Sequence, residues 1–238
     1  MKYFTELMAF AAGIMLASIV MTPLPSFEPS FDGVRTAETN IAAVSNQGTG
    51  SLGSVNVKIG PGDGSTLLNA DPFIETDTQI SAKTSKNVAE EFTNQTLSDK
   101  DITYRFSIGG EYVGGPSAGA AMTLATIAAI EDEDVPEDIA VTGTIREDGT
   151  IGRVGGILEK AQAAGRNDLE EFYVPPGQGN IIYYTKNVET NEFYPGVYSN
   201  DVEYEKNIFS INNYTMERFN MTTREVASIE ELYTKVSE

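Results

Sequence analysis

The sequence predicts an α+β fold, and two observations support this prediction. Segments with the two-residue alternation of strands are interspersed with segments of helical periodicity along most of the chain. The chain has 238 residues, of which 40% are hydrophobic and 21% charged, so it is long and apolar enough to bury a sizeable core. We see no internal repeat, and we assign one large domain to residues 40–238.

The first half of this domain is predicted to contain three strands and two helices. Apolar side chains that alternate or run continuously predict strands at residues 41–44, 52–59 and 102–108. Residues 61–64, Pro-Gly-Asp-Gly, form a turn after the second strand. Helical periodicity predicts a helix at 78–97 with Ile80, Val88 and Phe92 on its apolar side, and a helix of small residues at 117–130.

The second half continues the alternation of strands and helices. Residues 139–145 and 150–154 are predicted to pair as a hairpin because Glu147-Asp148-Gly149 between them is a typical turn sequence. A helix at 157–164 is expected to end at Gly165, and a strand at 172–174 to end before two prolines. Residues 226–236 are predicted to form a short closing helix.

Residues 177–224 differ from the rest of the domain in composition. This segment is rich in Asn and Tyr. We predict a peripheral hairpin or a long excursion from the domain. Two interpretations stay open for it, namely a surface decoration with aromatic packing and a lobe that binds a substrate or a partner.

Residues 1–25 have the hydropathy of a targeting segment. Lys2 precedes an apolar run at residues 7–21, which is followed by Pro23 and Pro25. This pattern is typical of a secretory signal or a short membrane anchor, and the lack of a clear cleavage site favours an anchor. Because no further cation occurs before Arg35, the positive-inside rule predicts that the domain lies outside the cytoplasm. A cleaved signal, which would give a secreted protein, and a buried helix are the alternatives.

A predicted linker joins this segment to the domain. Residues 26–39 are rich in Pro, Ser and acidic residues, which is typical of a connection without a core of its own.

The composition excludes several kinds of active site. The chain contains no Cys, no His and no Trp. It therefore has no disulfide, no thiolate nucleophile, no common zinc site and no Ser-His-Asp triad. A hydrolase of this composition has to activate its nucleophile with Lys, a carboxylate or an oxygen-bound metal. The acidic residues 131–138 do not have the spacing of a calcium loop, so we expect no metal site and no cofactor.

The net charge bears on the partners of the protein. The chain carries a formal charge of −19 at pH 7. A surface of this charge repels the phosphates of a nucleic acid, so we expect no nucleic-acid partner.

The first candidate for chemistry is the segment Gly114-Gly115-Pro116-Ser117-Ala118-Gly119. Two glycines lead to a proline, after which a helix is predicted to begin at Ser117. A hydroxyl group at a helix N-terminus lies beside free backbone N–H groups, which stabilise an oxyanion. The alternative is a glycine-rich turn in which Ser117 is an ordinary N-cap.

The second candidate is Lys160, on the predicted helix at 157–164. Ile157 and Ala164 lie about one turn away on either side, so Lys160 shares their mostly apolar face. Burial there disfavours the ammonium form, which lowers the pKa and leaves an amine able to accept a proton. The alternative is a surface Lys that extends its amine into solvent.

Together these segments resemble the Lon protease family of Ser-Lys peptidases, in particular its membrane-anchored archaeal type. The resemblance depends on Gly-Pro-Ser-Ala-Gly at residues 115–119, on Thr142-Gly143, and on Val-Gly-Gly followed by Lys160 at residues 154–160. The separations between these motifs are close to those of the family. The resemblance covers about residues 40–176 and, less closely, 225–237.

The resemblance implies a role for each matching residue. Ser117 would be the nucleophile, Lys160 the general base, and Thr142 the residue that hydrogen-bonds and orients the Lys. Backbone N–H groups around Gly115 and Ser117 would form the oxyanion hole. Glu111 lies where family members often carry an acid, and it either supports the dyad or is an ordinary surface residue. The implied fold is the α+β Lon proteolytic domain.

The sequence departs from the family pattern in two loops and in what it lacks. Thr144 stands where the family usually has Glu, and Gly-Arg-Val-Gly-Gly at residues 152–156 replaces a more apolar stretch. Lon proteins normally also carry an ATPase module. The glycine-rich residues 60–66 have no Lys before Ser65, so they do not form a Walker A loop, and no other stretch of this sequence qualifies.

The sequence thus predicts a membrane-anchored, Lon-like serine endopeptidase that cleaves unfolded or flexible polypeptides without ATP. The resemblance also implies a homo-oligomeric ring, often a hexamer in this family, and leaves open whether a separate ATPase assists. Two alternatives stay open: a non-catalytic binding or scaffold module on the same fold, and a surface protein that processes only itself.

Overall fold

Seven strands of the chain form one mixed sheet, and shorter strands pair beside it. The computed structural model describes residues 31–45, 47–70, 73–109 and 112–237. The strands within these residues are β1 (Arg35–Val44), β2 (Gly50–Pro61), β3 (Thr66–Ala70), β4 (Phe73–Ile74), β5 (Lys100–Ile108), β6 (Tyr112–Val113), β7 (Ile139–Val141), β8 (Thr144–Ile145), β9 (Ile151–Gly152), β10 (Glu171–Val174), β11 (Asn180–Tyr194), β12 (Val197–Ser210) and β13 (Thr222–Glu225). The helices are α1 (Thr76–Thr93), α2 (Gly119–Glu131), α3 (Ile157–Gly165), α4 (Ile211–Phe219) and α5 (Ile229–Val236), and a 3-10 turn (Pro116–Ala118) precedes α2.

The main sheet has the strand order β13-β10-β7-β1-β2-β5-β3. The neighbours β13, β10, β7 and β1 are parallel, whereas β1, β2 and β5 are antiparallel and β3 runs parallel to β5. The remaining pairs are the short β4–β6 and β8–β9 ladders and the long β11–β12 hairpin. The predicted mixture of strands and helices is confirmed. Because β1, β7 and β10 are parallel, their carboxyl ends lie at the same end of the sheet.

The sheet separates two hydrophobic clusters. In β10, Tyr173 belongs to the first cluster and Phe172 and Val174 to the second, because successive side chains of a strand point to opposite faces. The first cluster contains buried residues of α1, α2 and α5, and the second contains buried residues of α3 and α4. Residues 119–130 of α2 are all buried, since this helix consists of small and apolar side chains.

The first predicted strand is longer than expected. It begins at Arg35 and not at residue 41. Residues 35–39, which we predict from sequence to be linker, therefore belong to the sheet, where Ala37 and Thr39 face inward. These small or polar side chains give a weak strand signal. Residues 26–30 of the predicted linker lie outside the described residues.

The predicted apolar face of α1 is wrong in part. Val88 is buried as predicted, but Ile80 is 61% exposed and Phe92 lies at the surface against Tyr233. The buried face instead carries small and polar residues, among them Ser81 and Ser85. These side chains fit where α1 packs closely on the start of α2, since a Cβ at Gly119 would lie only 2.7 Å from Ser81 Oγ.

The predicted hairpin after α2 is shorter than expected. Pairing occurs only between Thr144–Ile145 and Ile151–Gly152. Ile139–Val141, which we predict to be part of this hairpin, lies between β1 and β10 in the main sheet.

Residues 177–224 contain the predicted hairpin, but they are not all peripheral. Asn180–Tyr194 and Val197–Ser210 form a long hairpin. Residues 211–225 return to the domain as α4 and β13, and β13 pairs with β10 at the edge of the main sheet. The boundary of the excursion at residue 224 is therefore wrong, because the chain rejoins the core at Ile211.

The predicted anchor or signal at residues 1–25 lies outside the described residues and stays a prediction. Among the helices that the structure describes, none has both the length and the hydropathy needed to cross a membrane.

Candidate active site

Ser117 lies in the 3-10 turn that leads into α2. We predict this residue to begin the α-helix, but the helix begins at Gly119. Gly115 has φ 81° and ψ 159°, which favours glycine strongly and turns the chain into Pro116. The Ser117 side chain is half-buried and, among the described residues, makes no hydrogen bond. Its hydroxyl is thus free to be activated.

A row of side chains on α1 holds the backbone of this turn. Thr78 Oγ1 donates a hydrogen bond to the carbonyl of Gly115 at 3.1 Å, and Ser85 Oγ donates to the carbonyl of Gly119 at 3.1 Å. Ser81 Oγ donates to the carbonyl of Pro116 at 3.4 Å. These three residues occupy one face of α1. Sequence reasoning missed them, although Thr78, Ser81 and Ser85 have helical spacing.

Lys160 is buried in α3, with 3% of its surface exposed. As predicted, it shares a face with Ile157 and Ala164, which belong to the second hydrophobic cluster. Its Nζ donates a hydrogen bond to Thr142 Oγ1 at 3.1 Å. Burial lowers the pKa of Lys160 from 10.5 to about 8. None of the ion pairs within the described residues includes this amine, so no carboxylate restores the ammonium form.

Thr142 joins Lys160 to the segment that carries Ser117. It directly follows β7, is 1% exposed, and its backbone N–H donates to the carbonyl of Tyr173 at 3.0 Å. Its Oγ1 lies 3.4 Å from the carbonyl oxygen of Ser117, to which it donates. The next residue, Gly143, donates its N–H to the same oxygen at 2.9 Å. Two donors therefore hold the main chain of Ser117 against the end of β7.

The predicted site residues are thus brought together, with one exception. Lys160, Thr142 and the backbone of Ser117 form a continuous hydrogen-bonded path, and Gly115 lies two residues before Ser117. Glu111 lies outside the described residues. Within the described range, no hydrogen bond joins Ser117 Oγ directly to Lys160 Nζ. Chemically, the arrangement offers a hydroxyl nucleophile and a desolvated amine that accepts protons near neutral pH.

The loop before α3 is held by a residue that sequence reasoning missed. Gln178 is 7% exposed, and its amide pairs with both backbone groups of Val154: the N–H donates to Oε1 at 2.9 Å, and Nε2 donates to the carbonyl at 2.7 Å. This double contact ties the base of the long hairpin to the entry of α3. The surrounding Pro-Pro-Gly-Gln-Gly gives a turn signal but no sign of this contact.

The described residues of the site offer no ligand set for a metal. In the described part of the chain, no group of three or more acidic side chains is arranged to hold a metal ion. The chemistry available from these residues is that of the serine hydroxyl, the lysine amine and the backbone N–H groups.

Comparison with known proteins shows that this chain is similar to Lon proteases. The model of the Lon protease (S16) C-terminal proteolytic domain matches residues 49–185. The archaeal Lon protease of Methanocaldococcus jannaschii is 28% identical over 158 residues, which are 63% of this chain and 24% of that protein. The archaeal Lon protease of Halobacterium salinarum is 33% identical over 37% of this chain and 13% of its own length. The Lon protease of Phenylobacterium zucineum is 34% identical over 48% and 15%, respectively.

These matches cover only part of this chain and part of each relative. The chain spans about a quarter or less of the length of these relatives. Residues 186–238 lie beyond the part that the family model matches.

Proposed function

Since this chain belongs to the family of Lon protease (S16) C-terminal proteolytic domains, we propose that it is a serine-type endopeptidase acting on unfolded or flexible polypeptides. The observation that carries this proposal is the path from Lys160 Nζ through Thr142 Oγ1 to the carbonyl of Ser117. It connects a buried amine of lowered pKa to the residue with a free hydroxyl in a half-exposed turn.

In the proposed mechanism, Ser117 is the nucleophile and neutral Lys160 the general base. Ser117 Oγ attacks the carbonyl carbon of the substrate as its proton passes to Lys160 Nζ. The resulting intermediate expels the amine of the leaving peptide, which takes the proton from Lys160. Water then attacks the Ser117 ester with Lys160 again as base, and the free serine is restored. The direct Ser117–Lys160 hydrogen bond forms with substrate bound, since catalytic hydrogen bonds often tighten only in that complex.

Two further residues support this chemistry. Thr142 is a positioning residue, because its hydroxyl accepts the hydrogen bond of Lys160 and so directs the amine. The turn at Gly115 leads into Ser117, and we propose that the backbone N–H of Ser117 stabilises the oxyanion. The N–H of Gly115, which we predict from sequence to be in the oxyanion hole, instead donates to Glu75 Oε2 at 3.2 Å. We infer no cofactor for any step.

The remaining proposals concern assembly and location. The 238 residues contain no Walker A motif, so we propose that peptide-bond hydrolysis by this chain requires no ATP. We also propose a homo-oligomeric assembly, and a membrane anchor at residues 7–21 that holds the domain outside the cytoplasm. Carbonate extraction of membranes and protease accessibility in intact cells test the location.

Hydrolysis of unfolded casein by the full chain in detergent, without nucleotide, tests the activity. We expect activity in the wild type and its loss in Ser117→Ala and Lys160→Ala. Exposed residues provide matched controls, and Lys83→Ala and Ser98→Ala should retain full activity. Activity should rise with pH through an apparent pKa near 8, because only the neutral amine accepts a proton.

A fluorophosphonate probe separates the alternatives. Labelling of Ser117 in the wild type, and loss of this labelling in Lys160→Ala, would support the dyad even if casein is not a substrate and is not cleaved. An unlabelled wild type that cleaves nothing would contradict the proposal and favour a binding module. Cleavage of the chain itself but never of casein would favour self-processing.

A further inference from the structure

The β11–β12 hairpin has two chemically different faces. Because side chains alternate along a strand, the register assigns residues to one face or the other. We call the first the lysine face, and it consists of the cross-strand pairs Ile182–Ile208, Tyr184–Lys206, Lys186–Tyr204, Val188–Val202, Thr190–Asn200 and Glu192–Tyr198. The opposite face, the acidic face, consists chiefly of Asn, Thr, Ser, Glu and Asp side chains.

The apolar side chains of the lysine face are exposed. Its Ile, Val and Tyr residues have relative exposures between 47% and 64%. On the acidic face, Ile181 and Phe209 at the base pack against the second hydrophobic cluster, and Tyr183 is exposed. Two-stranded hairpins are marginally stable alone in water, and an exposed apolar face of this length marks an interaction surface.

The charges of the hairpin are divided between the faces and along its length. Lys186 and Lys206 are its two cations, and both lie on the lysine face toward the base. The single acid of this face, Glu192, lies at the tip. The other four acids, Glu189, Asp201, Glu203 and Glu205, lie on the acidic face. One end of the lysine face is therefore positive and the other negative.

This separation of positive and negative charge favours a second copy of the chain as the partner that covers the lysine face. If two lysine faces meet with the hairpins antiparallel, the Tyr184–Lys206 pair of one copy comes beside the Glu192–Tyr198 pair of the other. Opposite charges then meet twice, because a two-fold axis repeats every contact. In the same arrangement, Lys186 and Tyr204 oppose Thr190 and Asn200 of the other copy, the Val188–Val202 pairs of the two copies oppose each other, and the isoleucines lie beside the tip. A parallel arrangement would instead bring lysine against lysine.

We propose that the lysine face is the interface of a two-fold dimer in which two hairpins pack face to face and antiparallel. The dimer is a four-stranded sandwich that covers the exposed Ile, Val and Tyr side chains of both copies. Each hairpin face measures roughly 45 by 10 Å, from the rise per residue and the strand spacing. The contact therefore lies at the low end of specific interfaces, so the dimer should be weak and dependent on concentration. The proposal does not depend on catalytic activity.

Cysteine cross-linking tests the proposal on the full chain. The protein has no Cys, so a single introduced thiol is the only site of reaction. Val188→Cys lies at the centre of the lysine face, and Glu189→Cys is its neighbour on the acidic face. With a short bis-maleimide we expect a covalent dimer on a denaturing gel from Val188→Cys, and at least about fivefold less from Glu189→Cys.

A charge exchange tests the antiparallel orientation. In the Val188→Cys background, Lys206→Glu and Glu192→Lys should each weaken dimerisation by about fivefold, since each replaces an attraction with a repulsion. The two changes together should restore it. Circular dichroism checks that each variant is folded.

Three outcomes would overturn the proposal. The first is equal cross-linking from Val188→Cys and Glu189→Cys, or none. The second is a charge exchange in which the double variant dimerises no more strongly than either single variant. The third is a monomeric chain that binds vesicles of neutral phospholipid and loses this binding in Val188→Asp, which would assign the face to a lipid surface. The charge-exchange variants should hydrolyse casein as fast as the wild type. A failure of the dimer proposal can therefore be told apart from a failure of the proposed peptidase activity.

Discussion

Lys160 and Thr142 are joined by a hydrogen bond of 3.1 Å between a buried amine and a neutral hydroxyl. A hydroxyl orients the amine without adding a charge. A carboxylate in the same place would favour the ammonium form and raise the pKa. With a hydroxyl as partner, desolvation determines the pKa, which is lowered to about 8. The amine is therefore both directed and able to accept a proton.

The first prediction concerns Thr142. Thr142→Val removes the acceptor, so the Lys160 amine loses its orientation, and kcat should fall on the order of 10- to 100-fold. Charge on the unpaired amine becomes still less favourable, so the apparent pKa of kcat should move below its wild-type value. Thr142→Ser keeps the hydroxyl and should retain most of the activity. A pH–rate profile of all three proteins checks this, and a profile unmoved in Thr142→Val would count against the positioning role.

The second prediction concerns stability and pH. The pKa of Lys160 is about 8 in the folded protein and 10.5 ordinarily. Between these values the unfolded chain binds more protons, so the free energy of unfolding should rise with pH over this window, by about 3 kcal/mol in all. Below pH 8 both states carry the charge and the folded protein bears the full penalty. Lys160→Met should abolish this rise and be more stable than the wild type at pH 7.

Denaturant unfolding of the two proteins from pH 7 to 10 measures this effect. The difference between them isolates Lys160, because every other ionisable group is common to both. A constant difference across this range would contradict the lowered pKa.

The third prediction concerns the turn before Ser117. A Cβ at Gly115 would have no atom within 4 Å, so Gly115→Ala tests the backbone alone. At φ 81° and ψ 159° an L-residue is strained, and we expect a loss of about 1–3 kcal/mol or a shifted turn with much lower activity. Gly155 is a matched control, since it is equally open but has no positive φ. Gly155→Ala should change thermal stability little, and equal losses in both variants would rule out backbone strain as the cause.

The fourth prediction concerns Gln178. Gln178→Leu leaves the N–H and the carbonyl of Val154 without their partner, which should cost about 1–3 kcal/mol. The loop into α3 should loosen, so that hydrogen exchange at residues 153–156 increases and kcat falls. Unchanged exchange in this loop, measured by mass spectrometry, would show that Gln178 does not hold it.

The position of Lys160 could be predicted from sequence because the evidence is local. Ile157, Lys160 and Ala164 share a helix face whatever the rest of the fold, and that face is buried. The face of α1 could not be predicted in the same way. Ser81 and Ser85 are buried because their hydroxyls reach backbone carbonyls of the 3-10 turn and of the first residue of α2, and this depends on how closely the two helices approach.

The distinction between local patterns and contacts distant in the sequence also explains the other differences between prediction and structure. Ile139–Val141 has the pattern of a hairpin strand, but its partners are β1 and β10, which are distant in the sequence. Gln178 contacts Val154 across a gap of 24 residues that no periodicity marks. The β11–β12 hairpin, in contrast, pairs two strands that are adjacent in the sequence, on either side of Pro195-Gly196, and a hairpin here is one of the two possibilities that we predict from sequence.

The two hydrophobic clusters on opposite faces of the sheet have a consequence for the newly made chain. Ser117 is held on the layer of α2, and Lys160 belongs to the layer of α3. The hydrogen-bonded path between them crosses the end of β7, so it exists only when both layers have packed. A chain with one finished layer has a serine and a lysine but no means of joining them. The proposed hydrolytic activity therefore requires that both layers have packed.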